Sequence, residues 1–222
     1  RDLSPRAIET NMALAERLIG EGKTSEAVDA LKTVTTGEPG NVKAWRLLGE
    51  VQASREQAPE AILALQRAVA LGVPEVEIAR PLGLALLRDA READAIALCR
   101  RVTDAGVAEG KPDAAIACCR VLLAAAPHLT ALHAHLAATL QESGRSEEAR
   151  AAFQALAAAQ EAAGQTDAAV ETYRRLLDLD PSDATAHDRL KALEPPPPVV
   201  VEAPAPAPAQ AEIVPPPEEP VG

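Results

Sequence analysis

Aromatic side chains are nearly missing from this sequence of 222 residues: Trp45, Phe153 and Tyr173 are the only three. Strands favour aromatic and β-branched residues in period-two alternation. Outside the short Val199-Val200-Val201, no segment shows that alternation. Alanine and leucine therefore supply most of the 47% of the chain that is hydrophobic. Both favour helix, and small alanines let helices approach closely. An all-α chain is expected.

Cysteine is scarce and odd in number: Cys99, Cys118 and Cys119. That argues against a disulfide framework and suits a reducing compartment. Neither CxxC pairs nor histidines at ligand spacing are present to hold zinc. Cys99 and Cys119 read as small core residues, whereas Cys118, beside Cys119 on a helix, is expected to be partly exposed. No apolar run approaches the roughly 18–20 residues that span a bilayer, so membrane insertion is not expected. Basic residues are outnumbered 22 to 33, for a net charge of −11. Such a surface repels phosphate backbones, and nucleic acid is an unexpected partner. No secretory leader is visible, which points to the cytoplasm. The chain begins at Arg1 rather than methionine, so a trimmed leader and a periplasmic location stay open.

Catalytic signatures are missing too. There is no GxGxxG, P-loop or Ser/His/Asp pattern. Glu147-Glu148 and Glu218-Glu219 are adjacent, so each pair diverges on a helix and reads as solvated surface. His133 and His135 stand two apart, on different helix faces, which disfavours shared metal ligation. His133 is expected to pack and His135 to be an exposed bystander, with His128 and His187 near helix starts. No enzyme activity, cofactor or metal is expected; a thiol or metal enzyme using Cys118, Cys119 and the histidines is the most distant reading.

What the chain does have is a ladder of alanines. Ala27, Ala61 and Ala95 are 34 apart, and Ala115, Ala149 and Ala169 follow at steps of 20, 34 and 20. Each lies in an apolar stretch after a Gly-rich or polar break. A period of about 34 is the signature of stacked helix pairs that bury their faces only against neighbours. In the later part the period changes, because residues 76–129 align with 130–183 at an offset of 54. Gly83 matches Ala137, Cys99 matches Phe153, Cys119 matches Tyr173, and Pro127 matches Pro181. Each 54-residue unit should hold three helices, near 76–88, 92–108 and 112–126 in the first. The units thus lie near 8–41, 42–75, 76–129 and 130–183, with a capping helix over 184–193. Ser4-Pro5 reads as an N-cap with proline at the first helical position. Pro81 sits inside the expected helix of the third unit, which should start late, near Ala79, or bend there.

The second unit carries the clearest motif: Trp45-x-x-Leu48-Gly49-x-x-Gln52, then Ala61, Leu65, Ala68 and Pro74. This resembles the tetratricopeptide repeat (TPR) family, of a bacterial type, over about residues 5–193. Gln52 stands where the family has tyrosine, Leu65 where it has phenylalanine, and the proline comes one place late. The resemblance implies a TPR-like α-α superhelix, a right-handed solenoid of antiparallel helix pairs, here of about eleven helices. It also implies a non-enzymatic scaffold that binds a partner peptide or helix in a concave groove. By register, that groove takes Glu9, Met12 and Glu16 (with Ile19) from the first unit. It takes Lys43, Arg46 and Glu50 (with Ser54) from the second, and Glu77, Arg80, Leu84 and Arg88 from the third. Lys43, Arg46, Arg80 and Arg88 would make a basic patch able to pair with a peptide's carboxylates. The plainer alternative is that they solvate the face and pair with Glu50 and Glu77. Family members that clamp chaperone C-termini use lysines and asparagines where this chain has Met12 and Glu16, so that clamp is not expected. The alanine-rich later groove, at Ala131, Ala134, Ala138, Ala151 and Ala158, suits a closely packed helix or self-association.

From Pro195 the composition shifts: eleven of the nineteen prolines lie there, together with Glu202, Glu212, Glu218 and Glu219 and no basic residue. A disordered, acidic Pro/Ala-rich tail or linker is expected, extended as polyproline II and reaching on the order of 90 Å at about 3.1 Å per residue. A linker carries the alternative function, a regulatory or dimerising TPR module tethered to an effector or ligand-sensing domain beyond this chain. A proline-rich ligand for a partner domain is the lesser reading of the same segment.

Overall fold

The computed structural model describes residues 4–193, so the expectations for the Pro/Ala-rich tail at 195–222 lie outside the described residues. The described residues form eleven helices and no strand: α1 (Pro5–Gly20), α2 (Thr24–Gly37), α3 (Val42–Ser54), α4 (Ala58–Ala70), α5 (Glu75–Arg88), α6 (Glu92–Ala108), α7 (Asp113–Ala125), α8 (Thr130–Glu142), α9 (Ser146–Ala162), α10 (Thr166–Leu179) and α11 (Ala184–Leu193). Every helix packs chiefly on its neighbours in the chain. The further contacts join helices two places apart, α3 with α5, α5 with α7 and α6 with α8. That is an open row of hairpins.

The alanine ladder is the spine of this row. Ala27, Ala61, Ala95, Ala149 and Ala169 are 0% exposed and Ala115 is 1%. A ladder alanine sits where a larger side chain would hold two helices apart. Gly49 completes the crossing of α3 and α4, since a Cβ there would lie 2.5 Å from Leu65 Cγ and 3.1 Å from the Leu65 backbone nitrogen.

Five residues before each ladder alanine the chain turns through the left-handed region. Gly22, Gly110, Gly144 and Gly164 do so as glycines, but Glu56 (φ 61°) and Ala90 (φ 56°) do so with a Cβ. At each of the six turns the next amide donates to the carbonyl five residues back, as in Lys23 N–H to Leu18 and Arg91 N–H to Leu86. This is the Schellman closure, which satisfies otherwise orphaned helix carbonyls. A non-glycine residue costs about 1–2 kcal/mol there. Ala90→Gly should therefore stabilise the protein by about 1 kcal/mol in denaturant unfolding, whereas Gly110→Ala should destabilise it by a similar amount.

A second turn type recurs before helices of the other kind. Trp45 Nε1–H donates to the Pro39 carbonyl at 3.0 Å, and His133 Nε2 and His187 Nε2 reach the Pro127 and Pro181 carbonyls at 3.0 Å. Each ring ties down the proline six residues before it. His133 thus takes Trp45's place in the repeat, and holds it by the same hydrogen bond to a proline carbonyl.

The two 54-residue stretches show matching helices, with α6 and α9 both 17 residues long. In the first, α5 packs on α7 as well as α6. A Cβ on Gly83 would lie 2.7 Å from Leu122 Cδ1 of α7. Cys99 occupies the register position of Leu65 but is shorter, and Leu122 reaches Gly83 in its stead.

Three expectations are corrected. The helix holding Pro81 does not start near Ala79: α5 begins at Glu75 and runs through the proline. Pro74 N-caps it, Glu77 N–H donates to the Pro74 carbonyl at 3.0 Å, and the buried face of Ile78, Ala79, Leu82 and Ala85 offsets the one bond the ring removes. Cys118 is buried, not partly exposed. A helix facing one neighbour would have left it outside, but α7 is packed by α5, α6 and α8 together. Its Sγ lies 3.9 Å from Cys99 Sγ, and the hydrogen bonds that the Cys99 thiol makes to Cys118 and Cys119, together with burial, push its pKa far up. The Cys99 thiol is thus an unreactive core residue.

His135 is half-buried rather than an exposed bystander, with Nε2 buried and unpartnered between α6 and α8. Desolvation lowers its pKa below 6.5, and Asp104 and Glu142 oppose that only in part. The folded protein therefore holds the proton less readily than the unfolded chain. The His135 contribution to stability is intact above about pH 6.5 and is lost as the pH falls toward the depressed folded value. Between pH 7 and 5 the wild type should lose more stability than His135→Gln, read as the difference in urea midpoint at each pH.

Candidate binding groove

Repeat geometry puts the outer faces of α3 and α5 side by side, because these two helices pack directly against each other. Between them lies a groove of about 500 Å³ lined by Glu50, Ala53, Ser54, Glu77, Arg80, Pro81, Leu84 and Arg88. Glu50, Glu77, Arg80, Leu84 and Arg88 were expected from register, and the fold gathers them in one cavity. Arg46 adjoins it through an ion pair to Glu50 at 3.8 Å.

The remaining expected residues lie along the same row toward α1. Lys43 Nζ meets Glu16 Oε1 at 2.5 Å and so ties α3 to α1. Met12 packs against the N-terminal apolar cluster of Ala15, Leu31 and Val34. Glu9 is exposed on α1. The later alanines, Ala131, Ala134, Ala138, Ala151 and Ala158, are all exposed.

The four cations of the expected patch are in different states. Lys43 and Arg46 have carboxylate partners. Arg88 Nη1 donates to the Ala53 carbonyl at 2.8 Å, bridging α5 to the end of α3. Arg80 is exposed and has no partner among the described residues. Of the four, Arg46 alone pairs with an expected carboxylate, Glu50, and the Arg80 guanidinium lies beside the apolar surface of Pro81 and Leu84.

Register reasoning missed Ala53 and Pro81. Ala53 sits one residue off the expected helix-face positions, and Pro81 was read only as a helix breaker. The signal for Pro81 was there: it is next to Arg80 and three before Leu84, so its ring faces outward with them.

Hairpins stacked in an open row, with a charged and apolar groove on one side, define an α-solenoid of the kind used to hold other proteins. The tetratricopeptide repeat family model matches residues 3–190, and the chain belongs to that family. Among solved structures, it is similar to YrrB, described as a TPR protein with an unusual peptide-binding site, at 15% identity over 82% of this chain and 90% of that one, TM-score 0.44. It is also similar to a thermophilic TPR protein of Thermus thermophilus, at 16% identity over 84% of this chain and 98% of that one, TM-score 0.37. The C-terminal part of a TPR repeat-containing protein of Cytophaga hutchinsonii aligns at 16% identity over 82% and 73% of the two chains, TM-score 0.49. No curated protein matches. Among the described residues, no helix is long and apolar enough to cross a membrane.

Proposed function

We propose that this chain is a non-enzymatic scaffold that holds a peptide or helix of a partner protein in the α3–α5 groove, with Arg80 gripping a carboxylate of the ligand. The observation that carries the reading is the state of Arg80. It is a free, planar donor set at the edge of a 500 Å³ groove, next to Pro81 and Leu84, which offer apolar contact. Arginine binds carboxylates bidentately, and such pairs are stronger than neutral hydrogen bonds. Glu77 in the same groove adds selectivity, since it would repel a second acidic residue placed on its side. The internal pairs of Lys43, Arg46 and Arg88 hold the wall in shape before a ligand arrives, which lowers the ordering cost of binding.

The test is a pull-down followed by titration of the captured partner. Arg80→Glu should weaken binding at least about 30-fold, because it removes one charge-assisted pair and adds repulsion. The triple reversal Lys43→Glu/Arg46→Glu/Arg80→Glu should abolish capture. Retention of every partner by the triple variant, with its helical content unchanged, refutes the groove assignment.

A further inference from the structure

On the opposite side of α3 from the Arg80 groove, the repeat forms a second kind of cavity, between successive outer helices. It recurs at the same register in the first three units, so the chain supplies its own comparison. Around α1 and α2 it is polar, lined by Arg17, Lys23, Glu26 and Asp29. Around α4, α5 and α6 it is only about 220 Å³, and a two-pronged ion pair spans it, Arg101 Nε and Nη2 to the Glu75 carboxylate at 3.0 and 2.9 Å.

The middle cavity, among α2, α3 and α4, is different. It measures about 530 Å³. The register counterparts of Arg101 and Glu75 are Arg67 and Asn41, so it has no latch. Leu63 on its wall is 66% exposed, where the first unit has Asp29 and the third Ala97. Trp45 lies in the lining, and its N–H is already engaged by Pro39, which leaves the ring as its contribution.

At the floor lies Gln52. The same register position holds Leu18, Leu86 and Leu140, each buried. Gln52 is instead an amide, 3% exposed, with Oε1 buried and without a hydrogen-bond partner. Gln160, nine residues before its own ladder alanine as Gln52 is, differs in that its Oε1 accepts from the Thr172 hydroxyl at 2.7 Å. A buried acceptor without a donor is a standing cost, and leucine would remove it. The cavity is therefore shaped for a ligand that brings an N–H to Gln52 and apolar bulk to Trp45, Pro59 and Leu63.

We infer that this cavity is a docking site for the chain's own alanine-proline segment, centred on Ala203–Ala209, folded back within the same molecule. The apolar and hydrogen-bonding chemistry matches, and of the two charges in the lining, Lys32 and Glu60, Lys32 favours the segment. Proline rings suit an aromatic-lined groove, and a polyproline II stretch makes no internal hydrogen bonds, so each alanine N–H in APAPAPA is available. Glu202 and Glu212 flank the segment, and Lys32 at the cavity rim is exposed and without an ionic partner among the described residues. Length suffices. From Leu193 to Ala209 is 16 residues, about 50 Å as polyproline II. The packed pairs α11–α10, α10–α9, α9–α8, α8–α6, α6–α5 and α5–α3 make six steps of about 8–10 Å, and because they zigzag between layers the straight span is shorter than their sum of about 54 Å.

Trp45 is the only tryptophan, so its fluorescence reports on this cavity alone. The full chain should emit at shorter wavelength than a chain ending at Leu193, whose thermal melt confirms that the helices are intact. A synthetic peptide of residues 201–213 should restore the shift in the shortened chain with saturation. Gln52→Leu, which copies the residue at three equivalent positions and so should fold at least as stably, should weaken the peptide roughly tenfold. Leu63→Asp should abolish the response. Identical emission with and without the segment, or a saturable response untouched by both variants, overturns the proposal. So does a shift in the full chain that grows with protein concentration, which would mean docking onto a second copy.

Discussion

Replacing Leu122 with alanine is expected to destabilise the protein by about 4 kcal/mol in denaturant unfolding, near the upper part of the range for buried leucines. Leu122 is 0% exposed and rests on Gly83 across the α5–α7 contact. The site cannot collapse to fill the hole, because its partner is already the smallest residue and both backbones are held by other helices. The same contact makes Gly83→Ala unfavourable by about 2 kcal/mol, since its new methyl would stand 2.7 Å from a Leu122 methyl. Combining the two changes should reverse the second penalty: with Leu122 shortened, alanine at 83 fills space and gains helix propensity of about 1 kcal/mol. A coupling near zero in that cycle would show that α5 and α7 do not meet through this pair.

The second large effect belongs to the ladder. Ala61→Leu adds three carbons at a position with 0% exposure and should cost about 3 kcal/mol. A domain of this size has about 5–15 kcal/mol in total, so the loss is severe. Because each hairpin leans only on its neighbours, the damage should be uneven. Amide exchange should accelerate most in α3 and α4 and least in α10. Ala70→Leu, at the exposed end of α4, should change stability by less than about 0.5 kcal/mol. Equal loss of protection along the whole chain would contradict stacking between neighbours.

The ladder was legible because it depends on one local property: a small residue at fixed spacing marks where helices cross, and all six alanines are buried. The 54-residue offset was legible for the same reason, and α6 and α9 have the same length. What sequence could not supply is how many neighbours a helix has. Cys118 and His135 were both assigned to open faces, and both lie on helices that also pack two places away, α7 on α5 and α8 on α6. Pro81 was judged by the bond it removes, whereas the buried face of α5 decides. Register placed Glu50, Glu77, Arg80, Leu84 and Arg88 together, since one period along adjacent helices is one step across the face. It could not foresee that the partner of Lys43 is Glu16, which reaches it from another unit. Gln52 was visible as a departure from the family pattern; its meaning needed the burial and the missing donor.

The most direct measurement is small-angle X-ray scattering on the chain shortened to Leu193. A compact domain of that length has a radius of gyration of about 16 Å. The open row of helix hairpins predicts a value clearly above this, with a long tail in the pair-distance distribution. A value at about 16 Å with a symmetric distribution would mean a closed bundle, and would remove the grooves on both sides of α3 with it.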